Sequence, residues 1–263
     1  HNDSIYVLKK RKSSFSNNEF TIQIYNERLN LVRNQIVNIP KSTNENTARD
    51  VFILKSDIYA YYQSDNKISK TLSAKIINLR TQEKKTVEEL SYLKSGNKPR
   101  FKLNIDSASL LMVSTPPFDK NANQSFHIKL LNDELKELVD ETIELPYPSK
   151  NFTLEKTKHQ DNSIYFLGNS TSAKDYQNPQ KFYLIRYDFS QKVMKEFELA
   201  LKNKWIASAT FELGKNNDLY VGGFYSNDQS FSVAGTFFLK IDLTTNQITQ
   251  KSLKAFSDDF LSK

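Results

Sequence analysis

The sequence predicts an all-β fold in which one four-stranded antiparallel unit is used five times, and three observations carry that expectation. Aromatic residues make up 12% of the 263, as 18 Phe, 13 Tyr and 1 Trp, a composition that favours strands. Two short landmarks recur in phase along the whole chain. The segments around them alternate apolar and polar residues, as half-buried strands do.

The first landmark is a strand that ends on Asn or Asp. It occurs as Phe20-Thr-Ile-Gln-Ile-Tyr-Asn26 and again at Asn78, Asn132, Asp188 and Asp242, at intervals of 52, 54, 56 and 54. The second is an apolar burst after a polar residue, starting at Ile5, Ile58, Leu110, Ile164 and Leu219, at intervals of 53, 52, 54 and 55. A repeat of this length is the mark of a stacked or radial architecture. One pair aligns without gaps: Phe20 to Pro40 and Phe126 to Pro146 share Phe, Ile, Asn, Leu and Pro at matching positions, 106 residues apart.

Each unit reads as strands a, b, c and d. Strand a alternates, as in Phe101-Lys-Leu103-Asn-Ile105, Phe152-Thr-Leu154 and Ala207-Ser-Ala209-Thr-Phe211. Strand b is the apolar burst, as a strand buried on both faces should be, so the five residues that start it are expected in the core. Strand c ends at the Asn or Asp, whose side chain bonds the backbone ahead and tolerates positive φ in the turn. Strand d follows, from Leu29 to Ile39 and from Leu135 to Leu145. Leu135, Leu138, Val139 and Ile143 also fit a helical face, but the equivalent segment holds Val32, Ile36, Val37 and Ile39, which favour sheet. The tail with Leu253, Phe256, Phe260 and Leu261 has helical spacing and no partner in the repeat, and its conformation stays open.

Four antiparallel strands repeated every 50 residues or so point to a β-propeller, because a single blade cannot bury both its faces alone. The expected organisation is one domain over 1–263 with repeat units near 1–40, 41–93, 94–146, 147–200 and 201–252, and a tail at 253–263. The first unit lacks strand a. Either a closed five-bladed ring takes that strand from about Asp258 to Lys263, or the chain is part of a larger propeller.

Asp218-Leu-Tyr-Val-Gly-Gly-Phe-Tyr-Ser-Asn227 followed by Gly235-Thr-Phe-Phe-Leu-Lys-Ile-Asp242 resembles bacterial propeller repeats of the D-x-x-G-N-x-Y-V-x-G kind. The chain as a whole resembles a group of uncharacterised bacterial exported proteins built from such repeats. The resemblance implies a propeller and, with the start at His1 rather than Met, export to the periplasm, the cell surface or the medium. It implies no activity. The Gly before strand b is mostly missing, and the Asp-box, WD and kelch signatures are absent, so no subfamily is chosen.

Composition excludes several function classes. Cys is 0, which removes disulfide frameworks, thiol chemistry and thiolate metal sites, and 3 His leave little for an imidazole metal centre. The net charge of +7 is modest for this length, and the basic residues are spread over turns without a stacking platform, which argues against nucleic acid. No apolar stretch approaches the roughly 18 residues that cross a membrane as a helix. The catalytic signatures G-x-S-x-G, H-E-x-x-H, G-x-x-x-x-G-K-[ST] and G-x-G-x-x-G are missing. No cofactor or metal is expected. His127 and His159 read as surface or hydrogen-bonded, and the carboxylates at Asp133-Glu134, Glu137 and Asp140-Glu141 as a solvated turn and strand face. Asp258-Asp259 lacks the Gly-bearing loop of a Ca²⁺ site.

The b–c connections are the long ones: Lys9 to Asn18, Gln63 to Lys70, Thr115 to Gln124, Gly168 to Gln180 and Phe224 to Val233. In a propeller they leave the same face as the d–a connections, and function concentrates in loops on a rigid scaffold. The expected partner-binding face therefore holds Arg49, Lys98, Arg100, Phe118, Tyr176, Trp205 and Tyr225, with Arg49, Arg100 and Trp205 at the mouth of the channel. Aromatic and amide groups there suit a protein or glycan partner, an anionic one if the basic residues engage it. The reading is a non-enzymatic binding or scaffold module. The alternative is a propeller enzyme, hydrolase or lyase, acting on polysaccharide at the channel mouth, which needs converging carboxylates.

Overall fold

The computed structural model describes residues 5–12, 18–37, 46–54, 57–65, 69–78, 81, 83–94, 101–105, 109–115, 119, 121–132, 134–170, 181–214, 217–228, 232–257 and 259, with the side chains of several strand residues, Arg49 among them, outside that description. The chain divides into two compact units, His1–Pro99 and Arg100–Lys263.

The first unit holds two sheets. One is β1 (Ile5–Lys12), β2 (Asn18–Tyr25) and β3 (Leu31–Val37), paired in that order. The other is β4 (Asn46–Leu54), β5 (Asp57–Asp65), β6 (Ser69–Asn78) and β7 (Lys84–Lys94). The second unit holds three: β8 (Phe101–Ile105) to β9 (Ser109–Ser114), β10 (Asn123–Asn132) and β11 (Glu137–Pro148); β12 (Phe152–Gln160) to β13 (Ser163–Ser170), β14 (Lys181–Asp188) and β15 (Val193–Leu199); and β16 (Trp205–Leu213) to β17 (Asp218–Ser226), β18 (Gly235–Asp242) and β19 (Gln247–Ala255). Every pairing within these sheets is antiparallel and joins neighbours in sequence. The chain is therefore an all-β succession of five blade-like meanders. Four have the strands a, b, c and d, and among the described residues the first has b, c and d.

The turn after strand c takes two forms, sorted by the residue that opens it. Asn26 Oδ1 accepts from the backbone N–H of Arg28 and Asn30, both at 3.0 Å, with Leu29 at φ 60. Asn132 repeats this, accepting from Glu134 N at 3.0 Å and Lys136 N at 2.9 Å, with Leu135 at φ 59. Asp188 and Asp242 accept instead from the second and third residues ahead, Ser190 and Gln191 in one, Thr244 and Thr245 in the other. The left-handed residue then moves one place on, to Lys192 and Asn246. The Ser190 hydroxyl, with backbone donors behind it, favours the charged form of Asp188, and the Thr244 backbone N–H does the same for Asp242, so both aspartates titrate below the ordinary range. The turn after Asn78 lies partly outside the described residues.

Strand d is a strand throughout. Its helical look comes from a bulge. Between Leu130 and Leu131 the partner residues jump from Val139 to Glu137, leaving Leu138 unpaired and 57% exposed. The same skip leaves Val32 unpaired in β3, 106 residues earlier, and 64% exposed. Beyond it Val139, Glu141, Ile143 and Leu145 alternate inward, and the polar Glu141 in that row leaves apolar residues spaced by four. The tail continues as β19 through Ala255, so Leu253 is in a strand; Phe260 and Leu261 lie outside the described residues.

In the second unit the sheets pack face to face. Leu111, Val113, Phe126, Ile128 and Leu145 of the β8–β11 sheet meet Ile164, Phe166, Ile185 and Tyr187 of the β12–β15 sheet. Phe126 and Phe166 stack at 5.7 Å. The other face of the β12–β15 sheet, with Tyr165, Leu167, Phe182 and Leu184, meets Phe211, Leu219, Val221 and Leu239 of the β16–β19 sheet. Polar links cross the same gaps. Ser109 Oγ lies 3.0 Å from His159 Nδ1, and Arg186 Nη1 donates to the Leu243 carbonyl at 3.5 Å.

Three of the strand-b residues expected in the core are there: Leu110, Ile164 and Leu219 are 1%, 0% and 0% exposed. Ile58 is a residue whose side chain lies outside the description. Ile5 is not buried. It is 47% exposed, because among the described residues β1 is an edge strand of its sheet, where the equivalent strands are flanked on both sides.

Candidate functional site

Strand a begins where strand b ends. Phe101 pairs with Ser114, Phe152 with Ser170 and Trp205 with Ser226, so the d–a and b–c connections leave the same end of each sheet. Asn46 opposite Ser64 follows the same rule in β4 and β5. Strand b thus closes on serine in three of the repeats and one residue past a serine in β5, a regularity the sequence carries but the apolar landmarks hide.

The best-defined part of this rim is in the last sheet. A tight turn from Leu201 to Lys204, with Asn203 at φ 56 and Lys204 N donating to Leu201 O at 3.3 Å, delivers the chain to Trp205. The half-buried Trp205 opens β16. Lys204 beside it donates to Asn227 Oδ1 and lies 5.6 Å over the Tyr225 ring. The b–c connection is held by Asp228, which accepts from Ser226 Oγ at 3.0 Å and Ser232 Oγ at 3.4 Å. Ala234 N donates to Tyr225 O at 2.8 Å and Phe256 N to Ala234 O at 2.9 Å, bringing Phe256 within 6.3 Å of Phe224, which is 43% exposed. The result is a ledge that carries one indole, an ammonium held on an amide, and two further rings.

Of the residues expected on the partner face, Trp205 sits on this rim. Tyr225 lies beneath the Lys204 ammonium rather than in the open. The b–c connections are shorter than the sequence suggested because strand b runs further, and β17 carries Tyr225 inward to 4% exposure against Gly235. Phe224, its neighbour, is the exposed ring. Arg49 is in β4 at a bulge, between Ala48 and Asp50. The same bulge recurs at Glu155, between Leu154 and Lys156, and at Ala207, between Ile206 and Ser208. Such bulges re-aim a side chain near the end of a strand, which makes the Arg49 position a structural repeat rather than an isolated basic residue. Lys98, Arg100, Phe118 and Tyr176 lie outside the described residues.

Charge is paired between β12 and β16. Glu212 of β16 takes Lys156 at 2.6 Å on one oxygen and Lys158 on the other, with Thr210 Oγ1 3.1 Å from the Lys156 ammonium. Burial opposes ionisation of Glu212, but the hydrogen bonds and charges of the two lysines outweigh it and hold its pKa below the usual value. A general acid needs the opposite shift. The acidic stretch in β11 is also distributed among cations: Asp140 and Glu137 bind Lys129 at 2.8 and 3.1 Å, and Glu141 binds Lys192.

Ser114, His127 and Asp140 form a chain, with 3.4 Å from the hydroxyl to Nδ1 and 2.6 Å from Nε2 to the carboxylate. Its order mimics a nucleophilic triad. Yet Ser114 is 2% exposed and donates to the His127 carbonyl at 3.3 Å, and Asp140 is shared with Lys129, so the chain ties three adjacent strands together. At His159, Nε2–H donates to the Asp161 carbonyl at 2.9 Å, leaving Nδ1 to accept from Ser109. Among the described residues no cluster of three or more His, Asp or Glu is placed to hold a metal, and no helix is long and apolar enough to cross a membrane.

Neither a protein-family model nor a curated protein sequence matches the chain. Solved structures are similar at low identity. An acylaminoacyl peptidase of Pyrococcus horikoshii aligns over 98% of this chain and 38% of its own, at 15% identity and a TM-score of 0.49. An alpha-L-arabinanase of Penicillium chrysogenum aligns over 96% and 90%, at 10% identity and 0.46. An apocarotenoid oxygenase of Synechocystis aligns over 90% and 57%, at 7% identity and 0.47. Against another structure of that oxygenase the chain spans 46% of the length. These likenesses concern the course of the backbone alone, and the propeller-type reading rests on the five successive meanders of this chain.

Proposed function

We propose that the protein is a non-enzymatic binding or scaffold module, exported, which holds a protein or glycan partner on the end of its blades where strands a begin and strands b finish. The blades act as a closed five-bladed ring or as part of a larger propeller. The observation that carries the reading is the ledge around Trp205, where a side-chain hydrogen bond holds the Lys204 ammonium on the Asn227 amide and the turn before Trp205 is closed by Lys204 N on Leu201 O. Rigid aromatic groups beside cations and amides are what partner surfaces use as anchors, since little freedom remains to be lost on binding. The paired state of Glu212 supports binding over acid–base chemistry on the inner strands.

The chain has 1 Trp, so its fluorescence reports on the ledge alone. Titration with arrays of neutral and acidic oligosaccharides, and affinity capture followed by mapping of the contact, are expected to find a partner whose binding shifts that emission. Trp205→Ala is expected to weaken it at least tenfold. The pair Lys98→Glu and Arg100→Glu weakens an anionic partner in a salt-dependent manner, because exposed charges are screened over about 10 Å at 0.1 M salt. A partner mapped instead to the turns opened by Asn26, Asn132, Asp188 and Asp242 would overturn the assignment.

A further inference from the structure

Where β12 meets β16, two ammoniums share one carboxylate. In a regular strand Phe152, Leu154, Lys156 and Lys158 would stand on one face. The extra residue Glu155 breaks that row. Phe152 and Leu154 pack into the core, Thr157 is buried beyond the bulge, and Lys156 and Lys158 come out together toward β16. There each takes one oxygen of Glu212, and Lys156 also donates to Thr210 Oγ1 at 3.1 Å. The lysine side chains are 30% and 28% exposed, the glutamate 58%. The cations are therefore the seated partners, with Lys156 5.6 Å over the buried Phe211 ring, and the carboxylate is the outer one. The neighbouring carboxylate, Glu155, accepts from Asn169 Nδ2 at 2.7 Å.

We propose that Lys156, Lys158 and Thr210 form a carboxylate-binding cradle in which Glu212 holds the place, and that the cradle takes the carboxylate of a sugar acid. Two ammoniums against one carboxylate leave one positive charge over. Three of the six ammonium hydrogens meet acceptors among the described residues. An incoming carboxylate neutralises that charge and takes up the remaining donors, and hydrogen bonds between charged partners are the strong ones. Ion pairs as exposed as these add little to folding. Phe211 and Leu167 already join the two sheets beneath them, so Glu212 can swing outward without parting the strands. The sugar is suggested by the row that Glu212 belongs to. Ser208 and Thr210 precede it on the same exposed face of β16 and offer hydroxyls to a polyhydroxylated acid. This cradle is separate from the Trp205 ledge, seven residues along β16, which is roughly 20 Å of strand.

The test is titration calorimetry on the full chain, with galacturonate and its linear tetramer as probes. Galactose and the methyl-esterified tetramer are the neutral counterparts. Saturable heat is expected from the acids and none from the neutral sugars. Glu212→Gln keeps the shape and removes the competing carboxylate, so it should tighten acid binding at least fivefold. Lys156→Met and Lys158→Met should each weaken it at least tenfold. If a lysine variant fails to fold, the Glu212→Gln comparison decides alone. Equal affinity for the two acids would identify a free sugar acid, and a tetramer at least tenfold tighter would identify an acidic glycan; either supports the cradle. Weaker binding by Glu212→Gln, or no binding when that variant has opened the cradle, would overturn the proposal. Acid binding abolished by Trp205→Ala and untouched by the lysine variants would also overturn it, and would put the carboxylate on the ledge.

Discussion

Replacing Phe166 by alanine is expected to cost about 3–5 kcal/mol of stability, a large share of the about 5–15 kcal/mol that holds an ordinary domain folded. Phe166 is fully buried, at 0% exposure, in the gap between two sheets. Its ring stacks on Phe126, which in turn meets Phe152 edge-on at 6.2 Å. Truncation deletes one layer of that stack, and the sheets on either side are held by their own ladders and cannot close the void. Leu138→Ala, at the exposed bulge residue, makes the internal comparison and should stay within about 0.5 kcal/mol. Urea midpoints of both variants decide the matter. A loss under 1 kcal/mol for Phe166→Ala would mean that the two sheets do not share an interior.

The second large effect is expected from a single methyl group. Gly223 lies in β17 beside the bulge that interrupts the pairing of β16 between Ile206 and Ser208. A Cβ at Gly223 would stand 2.0 Å from the Ser208 carbonyl oxygen and 2.9 Å from its carbon. Both are main-chain atoms and cannot rotate away. Gly223→Ala is therefore expected to straighten the bulge or part the strands, at a cost of about 1–3 kcal/mol. Gly222→Ala, whose nearest main-chain contact would be an ordinary 3.6 Å, should be tolerated. The bulge also sets how β16 starts, so Gly223→Ala is expected to shift the emission maximum of Trp205 while Gly222→Ala leaves it in place. Two indistinguishable variants would refute the close-approach account.

Much of this architecture is written in the sequence because the repeat makes each landmark testable against four others. Asn26 and Asn132 predict equivalent turns, and they share hydrogen bonds and a left-handed Leu three residues on. What stays hidden is whatever depends on one extra residue. The bulges at Leu138 and Val32 make strand d read as a helical face, and Glu141 completes the illusion by standing on the inward row, where Lys192 binds one of its two oxygens. Tyr225 falls in β17 rather than in the connection for a similar reason. The sequence marks an apolar burst at Leu219 but not how far the strand continues past Gly222 and Gly223. Ile5 fails on another count, since burial of a strand depends on its neighbours and not on its own composition. Of the rim, Trp205 follows from the position of strand a, whereas the latch of Lys204 on Asn227 joins two connections 23 residues apart and has no local signal.

The face-to-face packing of the second unit means that none of its sheets owns a private interior. The β12–β15 sheet lends alternate side chains to two different gaps, Phe166 and Ile185 to one, Leu167 and Leu184 to the other. The cooperative element is then the gap, not the sheet, and energy passes only between adjacent neighbours, as in a one-dimensional chain of coupled sites. Melting of such an array proceeds from its ends. Loss of β16 to β19 would strip one wall from the middle sheet and leave the other intact, so the amides of β13 and β14 exchange with solvent only after both gaps have parted. A cut placed in the turn between Leu201 and Lys204 would separate two halves of one interior, and the pieces would carry matching sticky faces. The segment of this chain that can be exchanged or transplanted whole is the space between two blades together with its two lining surfaces.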